Sequence, residues 1–281
     1  MRWIELSPGF ACNCRCLGCF SCSADPELQM DWEEVLRWLR HGRAHGARHV
    51  WLSGGEPTLR RDFIKTVRTS KALGYERIKV QTNAMLFSYP EMVDKSVAAG
   101  LNEVNLLLKS CDPKVTDGLN RLPGSHELLQ KAMPLLRAAR TLDGQRLRLE
   151  GDILMTTRNY KEMPELVRSY AERDVVHFNF WLFSLADQGS RDLRRLVPAF
   201  EDVVPYMIEA KKVAASFGAT VCSLNTPYCV VPPEHWSMQF DVKGMGLFVV
   251  NPGGHAFMLE TSSLEHGEFF EACDGCAVRQ H

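Results

Sequence analysis

The feature that most constrains the fold of this chain is a regular alternation of short apolar runs with longer amphipathic stretches. The apolar runs predict six strands, at residues 4–7, 49–52, 78–82, 103–108, 147–155 and 176–183. Helices are predicted between them at residues 31–42, 62–73, 90–99, 126–140 and 162–172. Strands that alternate with helices pair in parallel through right-handed crossovers. Six such units predict an α/β fold, a partial (β/α)6 TIM barrel over residues 1–198.

Residues 199–281 depart from this pattern and predict a smaller α+β extension. A long helix is expected over residues 199–217, followed by strand-like runs at 219–222, 247–250 and 255–259. The last two runs flank Asn251-Pro252-Gly253-Gly254, which is a strong hairpin signal. We therefore expect a second unit that begins near residue 199.

A cysteine cluster, Cys12-Asn13-Cys14-Arg15-Cys16-Leu17-Gly18-Cys19, follows the first predicted strand. Cys12, Cys16 and Cys19 form a C-x3-C-x2-C set. Three thiolates on one loop can bind three irons of a cubane iron–sulfur cluster and leave the fourth iron without a protein ligand. An open iron beside a pocket indicates chemistry rather than electron storage alone.

Disulfides and zinc are the other interpretations of a chain with ten cysteines. Nothing at the N-terminus resembles a signal peptide, and no apolar run of about 18 residues could span a membrane. A cytoplasmic location with reduced thiols is therefore expected. Zinc stays open, because Cys19-x2-Cys22 and Cys273-x2-Cys276 have zinc-ribbon spacing, although zinc does not explain the C-x3-C step.

The charge balance bears on the partners of the chain. Lys and Arg number 33 against 34 Asp and Glu, which gives a net charge of −1. This balance argues against nucleic acid or an anionic membrane as the main partner.

A second segment, Ser53-Gly54-Gly55-Glu56-Pro57, follows the apolar run at residues 49–52. Glycines let a main chain approach a ligand closely, and a carboxylate offsets an ammonium charge. Together with the cysteine set about 35 residues earlier, it resembles the signature of the radical S-adenosylmethionine (SAM) superfamily. The resemblance implies a 4Fe–4S cluster on Cys12, Cys16 and Cys19, whose free iron chelates SAM.

The resemblance also implies roles for single residues. Contacts with SAM are expected from Gly54, Gly55, Glu56, Pro57, Asn83, Ser110 and Phe20. Asn83 stands in a Thr-Asn-Ala context where relatives have Thr-Asn-Gly, and Phe20 is proposed for adenine because Gly18 replaces the usual aromatic residue. Ligands of α/β barrels lie at the carboxyl ends of the strands. This location makes Asp152, Glu150 and Lys109 candidates for the catalytic base, with a buried structural hydrogen bond as the alternative for each.

The extension resembles the twitch version of the SPASM domain, which holds an auxiliary 4Fe–4S cluster. The expected ligands are Cys222, Cys229, Cys273 and Cys276, with a tetrahedral zinc site as the alternative. A full SPASM domain continues with a further cysteine, whereas this sequence stops at His281, so we expect either a true twitch domain or a trimmed chain.

The reaction implied by the resemblance is reductive cleavage of SAM to methionine and a 5′-deoxyadenosyl radical, which abstracts hydrogen from a substrate C–H bond. The auxiliary cluster would take up an electron, giving net oxidation or ring formation on a biosynthetic small molecule. A flavodoxin or ferredoxin is the expected electron donor. The alternatives are a maturase that cross-links a ribosomally made precursor peptide and a non-enzymatic metal-binding or electron-transfer protein. The sequence starts directly on its first strand, without the leader-binding segment of many maturases, which favours the small molecule.

Overall fold

The computed structural model describes residues 1–19, 21, 24–182, 194–262 and 271–279. The strands in these ranges are β1 (Trp3–Leu6), β2 (His49–Leu52), β3 (Arg77–Thr82), β4 (Glu103–Leu108), β5 (Arg148–Leu154), β6 (Val175–Trp181), β7 (Thr220–Leu224), β8 (Leu247–Val250) and β9 (Ala256–Met258). The helices are α1 (Trp32–Ala44), α2 (Phe63–Ala72), α3 (Pro90–Ala99), α4 (Pro113–Asn120), α5 (Ser125–Ala138), α6 (Met163–Ala171) and α7 (Phe200–Ser216).

All nine strands form one sheet in the order β7-β6-β5-β4-β3-β2-β1-β8-β9. Every neighbouring pair is parallel except the β8–β9 hairpin, which is antiparallel. The sheet is open, because β7 and β9 each have one strand neighbour. This arrangement is the partial-barrel α/β fold that the alternation of strands and helices predicts.

The helix boundaries follow from capping residues in the sequence. Asp31 precedes α1, and its side chain accepts a hydrogen bond from the main-chain N–H of Glu34 at 2.8 Å. Pro90 opens α3, and Gly100 closes it in the left-handed conformation, with φ of +113°. The predicted and observed bounds of α3 are the same.

The two faces of the sheet differ in chemistry. One face packs beneath the helices, with Ile4, Leu52, Ile78, Leu106 and Phe178 in the main hydrophobic core. Because successive side chains of a strand point to opposite faces, the intervening residues line the other face. This polar face carries Glu5, Lys79, Asn105, Glu150, Asp152, His177 and Asn179.

The strands after residue 198 extend both sides of the same sheet. β7 pairs with β6, and β8 pairs with β1, with Trp3 opposite Leu247. The predicted hairpin around residues 251–254 is confirmed by the antiparallel pairing of β8 with β9. The division of the chain at residue 198 stays a prediction.

One helix was not predicted. α4 spans eight residues and begins with Pro113, after Asp112, whose side chain accepts a hydrogen bond from the N–H of Lys114. An Asp-Pro pair of this kind is a helix-start signal in the sequence. The predicted sixth strand ends at Phe183, which lies outside the described residues. In the described part of the chain, no helix is long and apolar enough to cross a membrane.

Candidate active site

The segment after β2 is docked on the loop that follows β1, residues 8–19, which we call the cluster loop. The N–H of Gly55 donates to the carbonyl of Gly9 and that of Glu56 to the carbonyl of Ala11, both at 2.9 Å. A Cβ atom on Gly54, which has φ of +110°, would lie 2.5 Å from the Gly9 carbonyl oxygen, and one on Gly55 would overlap the carbonyls of Phe10 and Ala11. Both positions require glycine because the cluster loop itself makes the close approach.

Glu56 connects this docked segment to the end of β3. Its carboxylate is 3% exposed and accepts four hydrogen bonds. The donors are the N–H and hydroxyl of Thr58, the hydroxyl of Thr82 and the N–H of Asn83, at 2.5–3.1 Å. Burial raises the pKa of Glu56 against these bonds. Pro57 is buried and begins the short 3-10 turn at Pro57–Leu59. Contact of Glu56 and Pro57 with SAM remains a prediction.

Asn83 reaches from the end of β3 into the cluster loop. Its amide nitrogen donates to the Asn13 side chain at 2.8 Å and lies 3.9 Å from the Cys14 sulfur, while its oxygen accepts from the N–H of Met85. Ala84 adopts a left-handed conformation with φ of +61°, which favours glycine. Alanine thus keeps a backbone conformation that glycine, the residue expected here from the resemblance, adopts more easily.

The cluster-loop cysteines include two activated thiols. A hydrogen bond with the buried Cys14 thiol lowers the pKa of Cys12. A hydrogen bond with Cys14 also lowers the pKa of Cys16, and together with the nearby charge of Lys109 it brings that pKa to about 7 despite burial. The same contacts raise the pKa of Cys14. Because the thiolate is the metal-binding form, Cys12 and Cys16 suit a ligand role. Cys19 is half-buried and close enough for its charge to affect Cys16. Phe20 and Cys22 lie outside the described residues.

The cluster loop supplies cysteine thiols, the ligand type that a cubane iron–sulfur cluster uses. Over residues 1–19, 21, 24–182, 194–262 and 271–279, no three His, Cys, Asp or Glu side chains converge in a way that could hold one metal ion. Each cysteine of a cubane cluster binds a different iron, so its cysteines need not meet at one point. All four thiols of the loop that are described are free of disulfides.

The other side of the cluster loop rests on α4. The N–H groups of Arg15 and Leu17 donate to the carbonyls of Asn120 and Leu119, at 3.2 and 2.8 Å. The Cys16 sulfur lies 3.3 Å from the side-chain oxygen of Asn120. Asn120 is a site residue that was not predicted from the sequence, because α4 itself was not predicted.

An ion-pair network occupies the polar face of the sheet. Lys79 lies 2.6 Å from Glu150 and 3.4 Å from Glu103. Arg77 pairs with Glu103 and Arg148 with Glu150. Burial raises the pKa of Glu150, but the ammonium of Lys79 and the guanidinium of Arg148 more than offset it and bring the pKa to about 2.

Glu150, one of the three candidate bases, is held in an ion pair with Lys79. It is the third residue of β5 and does not lie at the carboxyl end of that strand. Asp152 is 4% exposed and accepts hydrogen bonds from the amides of Gln81 at 2.7 Å and Asn179 at 2.8 Å. Its partners are neutral, so its charge is not balanced by a direct ion pair. Asp152 therefore fits the role of a base better than Glu150 does.

Lys109 and Ser110 follow β4 and lie in different surroundings. Lys109 is 7% exposed, and its carbonyl accepts a hydrogen bond from the Asn159 amide at 2.7 Å. The Ser110 hydroxyl donates to Glu162 at 2.5 Å and accepts from the N–H of Asp112 at 2.9 Å. These contacts give Ser110 a structural role at the start of α4, and its contact with SAM stays a prediction.

The cysteines of the extension are free thiols in differing environments. Cys222 lies on β7, opposite Asn179 of β6, and burial raises its pKa to about 11. Cys229 is exposed, whereas Cys273 and Cys276 are half-buried. In the described ranges these four cysteines include no metal-holding group of three, so the auxiliary cluster stays a prediction.

Comparison with known proteins adds relatives for more than half of the chain. A GTP 3′,8-cyclase of Marinobacter nauticus is 28% identical over 183 residues, which cover 64% of this chain and 53% of that protein. A GTP 3′,8-cyclase of Synechococcus sp. is 28% identical over 214 residues, covering 71% of this chain and 61% of that protein. The chain thus spans about half to three fifths of the length of these relatives.

Solved structures share the fold at low sequence identity. The crystal structure of Streptococcus suis SuiB bound to the precursor peptide SuiA has a TM-score of 0.69 and 16% identity, covering 88% of this chain and 57% of that one. Methylornithine synthase (PylB) has a TM-score of 0.54 and 15% identity, covering 83% and 73%. Residues 6–168 match the model of the Radical SAM superfamily. This match takes in the cluster loop, the GGEP segment and Asn83, and the chain belongs to the radical SAM superfamily.

Proposed function

We propose that this chain is an enzyme that cleaves SAM reductively and abstracts a hydrogen atom from a C–H bond of a biosynthetic small molecule. One observation carries the proposal. At the carboxyl ends of β1, β2 and β3, the cluster loop, Gly55, Glu56 and Asn83 form one hydrogen-bonded assembly that holds two thiols of lowered pKa.

The residues of the cluster loop and those of the segments packed on it have different roles. Cys12, Cys16 and Cys19 would hold the 4Fe–4S cluster, and a bound cluster supplies the electron that splits SAM. Glu56 fixes the end of β3 against the loop, and Asn83 orients Asn13. A flavodoxin or ferredoxin would deliver the electron.

Asp152 is the proposed base. It is a buried carboxylate on β5 held by the amides of Gln81 and Asn179, and these neutral donors orient it without neutralising it. A proton acceptor is needed when a substrate radical loses both an electron and a proton. Both carboxylate oxygens of Asp152 keep a free lone pair beyond these two bonds, as an acceptor requires.

We propose Cys222, Cys229, Cys273 and Cys276 as ligands of an auxiliary 4Fe–4S cluster that takes up the electron left on the substrate. Support comes from the position of Cys222, which lies opposite Asn179 on the neighbouring strand. Asn179 is one of the two residues that donate a hydrogen bond to Asp152. The proposed base on β5 and a proposed auxiliary ligand on β7 thus lie on the two strands that flank β6.

The names of the relatives favour a small molecule as substrate. GTP is the substrate in the name of the GTP 3′,8-cyclases, so a nucleotide is the first candidate to assay. A precursor peptide, as in the SuiB structure, is the second candidate.

Anaerobic reconstitution tests this function. We expect about eight irons per chain, falling to about four when Cys12, Cys16 and Cys19 are replaced by alanine, and dithionite-driven formation of 5′-deoxyadenosine only when these three are present. Cys111→Ala is the matched control, because Cys111 is an exposed thiol outside both sets, and it should retain all iron and activity. Zinc in place of iron, or intact SAM under every reductant, contradicts the proposal and favours a metal-binding protein.

A further inference from the structure

The Cys16 sulfur has a side-chain neighbour on α4. Its distance to the Asn120 side-chain oxygen is 3.3 Å, and Asn120 is 8% exposed. The Asn120 amide nitrogen donates to the Ser125 hydroxyl at 3.0 Å, and that hydroxyl donates to Asp117 at 2.8 Å. A continuous chain of hydrogen bonds therefore leads from the cluster loop into the α4–α5 turn.

Removal of the Cys16 proton reverses the direction of the first bond. A metal-bound thiolate has no proton to donate, and an amide oxygen 3.3 Å away would face a negative sulfur. Rotation of the Asn120 amide by half a turn exchanges oxygen for nitrogen at almost the same positions, and the nitrogen then donates to the sulfur.

The surrounding groups accommodate this rotation. The Ser125 hydroxyl turns its proton from Asp117 to the Asn120 oxygen. Asp117 keeps hydrogen bonds from the N–H groups of Gly124 at 2.7 Å and His126 at 2.9 Å. Every polar group named in this chain is still paired, so the rotation leaves no buried group unsatisfied.

The main-chain N–H groups that flank Cys16 are engaged elsewhere. Those of Arg15 and Leu17 donate to α4 carbonyls. Lys109 contributes positive charge near Cys16. On the α4 side, the Asn120 side chain lies within hydrogen-bond distance of the Cys16 sulfur, at 3.3 Å.

We propose that Asn120 is a positioning residue that donates a hydrogen bond to the iron-bound Cys16 sulfur and raises the reduction potential of the cluster. The inference rests on the proposed function, since it requires the cluster on Cys12, Cys16 and Cys19. Reduction adds a negative charge that spreads onto the sulfurs, and a hydrogen-bond donor stabilises the more negative state. An outer partner of this kind tunes a metal site without binding the metal.

The test is a potentiometric titration of the reconstituted protein, followed by electron paramagnetic resonance of the reduced cluster. Asn120→Leu removes the donor, and Asn120→Asp places a carboxylate near the sulfur. At a fixed potential we expect the ratio of reduced to oxidised cluster to fall roughly threefold in the first variant and about tenfold in the second, and tenfold corresponds to 59 mV for one electron.

Asn102→Leu is the matched control. Asn102 also holds two partners, the N–H of Ile78 and the carbonyl of Glu76, but at the opposite end of the sheet. It should lower the melting temperature without moving the potential. A purely structural role for Asn120 would likewise lower iron content or stability and leave the potential of the loaded cluster unchanged.

Ser125→Ala is a second variant that tests the same inference if the Asn120 variants fail to fold. It leaves Asn120 in place but removes the partner of its oxygen, so a smaller shift in the same direction is expected. Unchanged potentials in fully loaded variants overturn the inference and leave the proposed function intact. Failure of the wild-type chain to bind iron through Cys12, Cys16 and Cys19 overturns both.

Discussion

Replacing Lys79 with methionine tests whether the polar face of the sheet is held together by its ion pairs. The Lys79 side chain is 10% exposed, and Glu150, 2.6 Å away, is 5% exposed. Burial lowers the pKa of Lys79, but Glu150 and Glu103 more than offset this and raise it above its usual value. Methionine is an unbranched side chain of similar volume that carries no charge, so Lys79→Met leaves two buried carboxylates without their shared ammonium.

The pKa of Glu150 gives the magnitude. It falls from 4.5 to about 2, and at 1.36 kcal/mol per pKa unit this corresponds to about 3 kcal/mol of stabilisation of the charged form, shared between Lys79 and Arg148. Removing one partner of a buried pair costs about 3–5 kcal/mol where the remaining charge is left unpaired. Arg148 and Arg77 still pair with Glu150 and Glu103, so the low end of this range applies. We expect the free energy of unfolding of Lys79→Met to be about 3 kcal/mol lower than that of the wild type at pH 7.

The loss should depend on pH. In the wild type the folded-state pKa of Glu150 is depressed, so its stabilisation is present above about pH 4.5 and is lost as pH falls toward 2. In the variant, burial without the ammonium raises the carboxyl pKa values, and protonation relieves the cost as pH falls. The difference between the two proteins at pH 5 should be at least about 1 kcal/mol smaller than at pH 7.

Urea denaturation at pH 5 and pH 7, monitored by circular dichroism, measures this difference. Lys131→Met is the control, because Lys131 pairs with Glu127 across one helical turn at 2.8 Å with both side chains exposed, and it should cause no measurable loss. An equal loss at both pH values, or a Lys79 variant as stable as the control, would refute the electrostatic explanation.

Two further predictions concern Gly55, in the docked segment after β2, and Glu5, on the polar face of the sheet. Gly55→Ala would push the cluster loop off its docking segment, so iron binding to the N-terminal set should be lost in reconstitution. Gly118→Ala should keep iron binding, because its Cβ would make only an ordinary contact with the Arg158 side chain at 3.9 Å. Normal iron uptake by the Gly55 variant would contradict this prediction. Burial raises the pKa of Glu5 to about 6, although a hydrogen bond from Ser53 opposes this rise. The folded state therefore favours the neutral carboxyl, and the free energy of unfolding of the wild type should fall by about 1–2 kcal/mol as pH rises from 4.5 to 7.5. Urea midpoints of Glu5→Gln should lack that decline, and parallel pH profiles of the two proteins would exclude it.

The fold was predictable where the sequence carries local signals. β2, α3, β4 and β8 have the predicted bounds, because apolar runs and capping residues mark both of their ends. α4 was missed because it is short and carries few apolar residues, although Asp112-Pro113 marks its start. Local periodicity identifies elements, but a two-turn helix between two loops needs its capping residues to be recognised.

The site was predictable only in part. The cysteine set and the GGEP segment are contiguous and carry their spacing in the sequence. The contact between Cys16 and Asn120 spans 104 residues, and that between Lys79 and Glu150 spans 71. Contacts of this kind depend on strand register and on the packing of the loop, which a single sequence does not specify locally. From the sequence alone Glu150 is therefore a candidate base, and only the structure shows its ion pairs with Lys79 and Arg148.

The two neighbours of β1 leave the ribosome at very different times. β2 follows within about 50 residues, whereas β8, which pairs Leu247 with Trp3, is synthesised about 240 residues later. At ~5–20 residues per second, β8 emerges on the order of 10–50 s after β1. Throughout that interval one edge of β1 is open to pairing with other chains, an exposure that folded proteins avoid. The cluster loop can dock on Gly55 before β8 pairs with β1. Loss of β8 would therefore leave a chain that forms the cluster loop but aggregates through the open edge of β1.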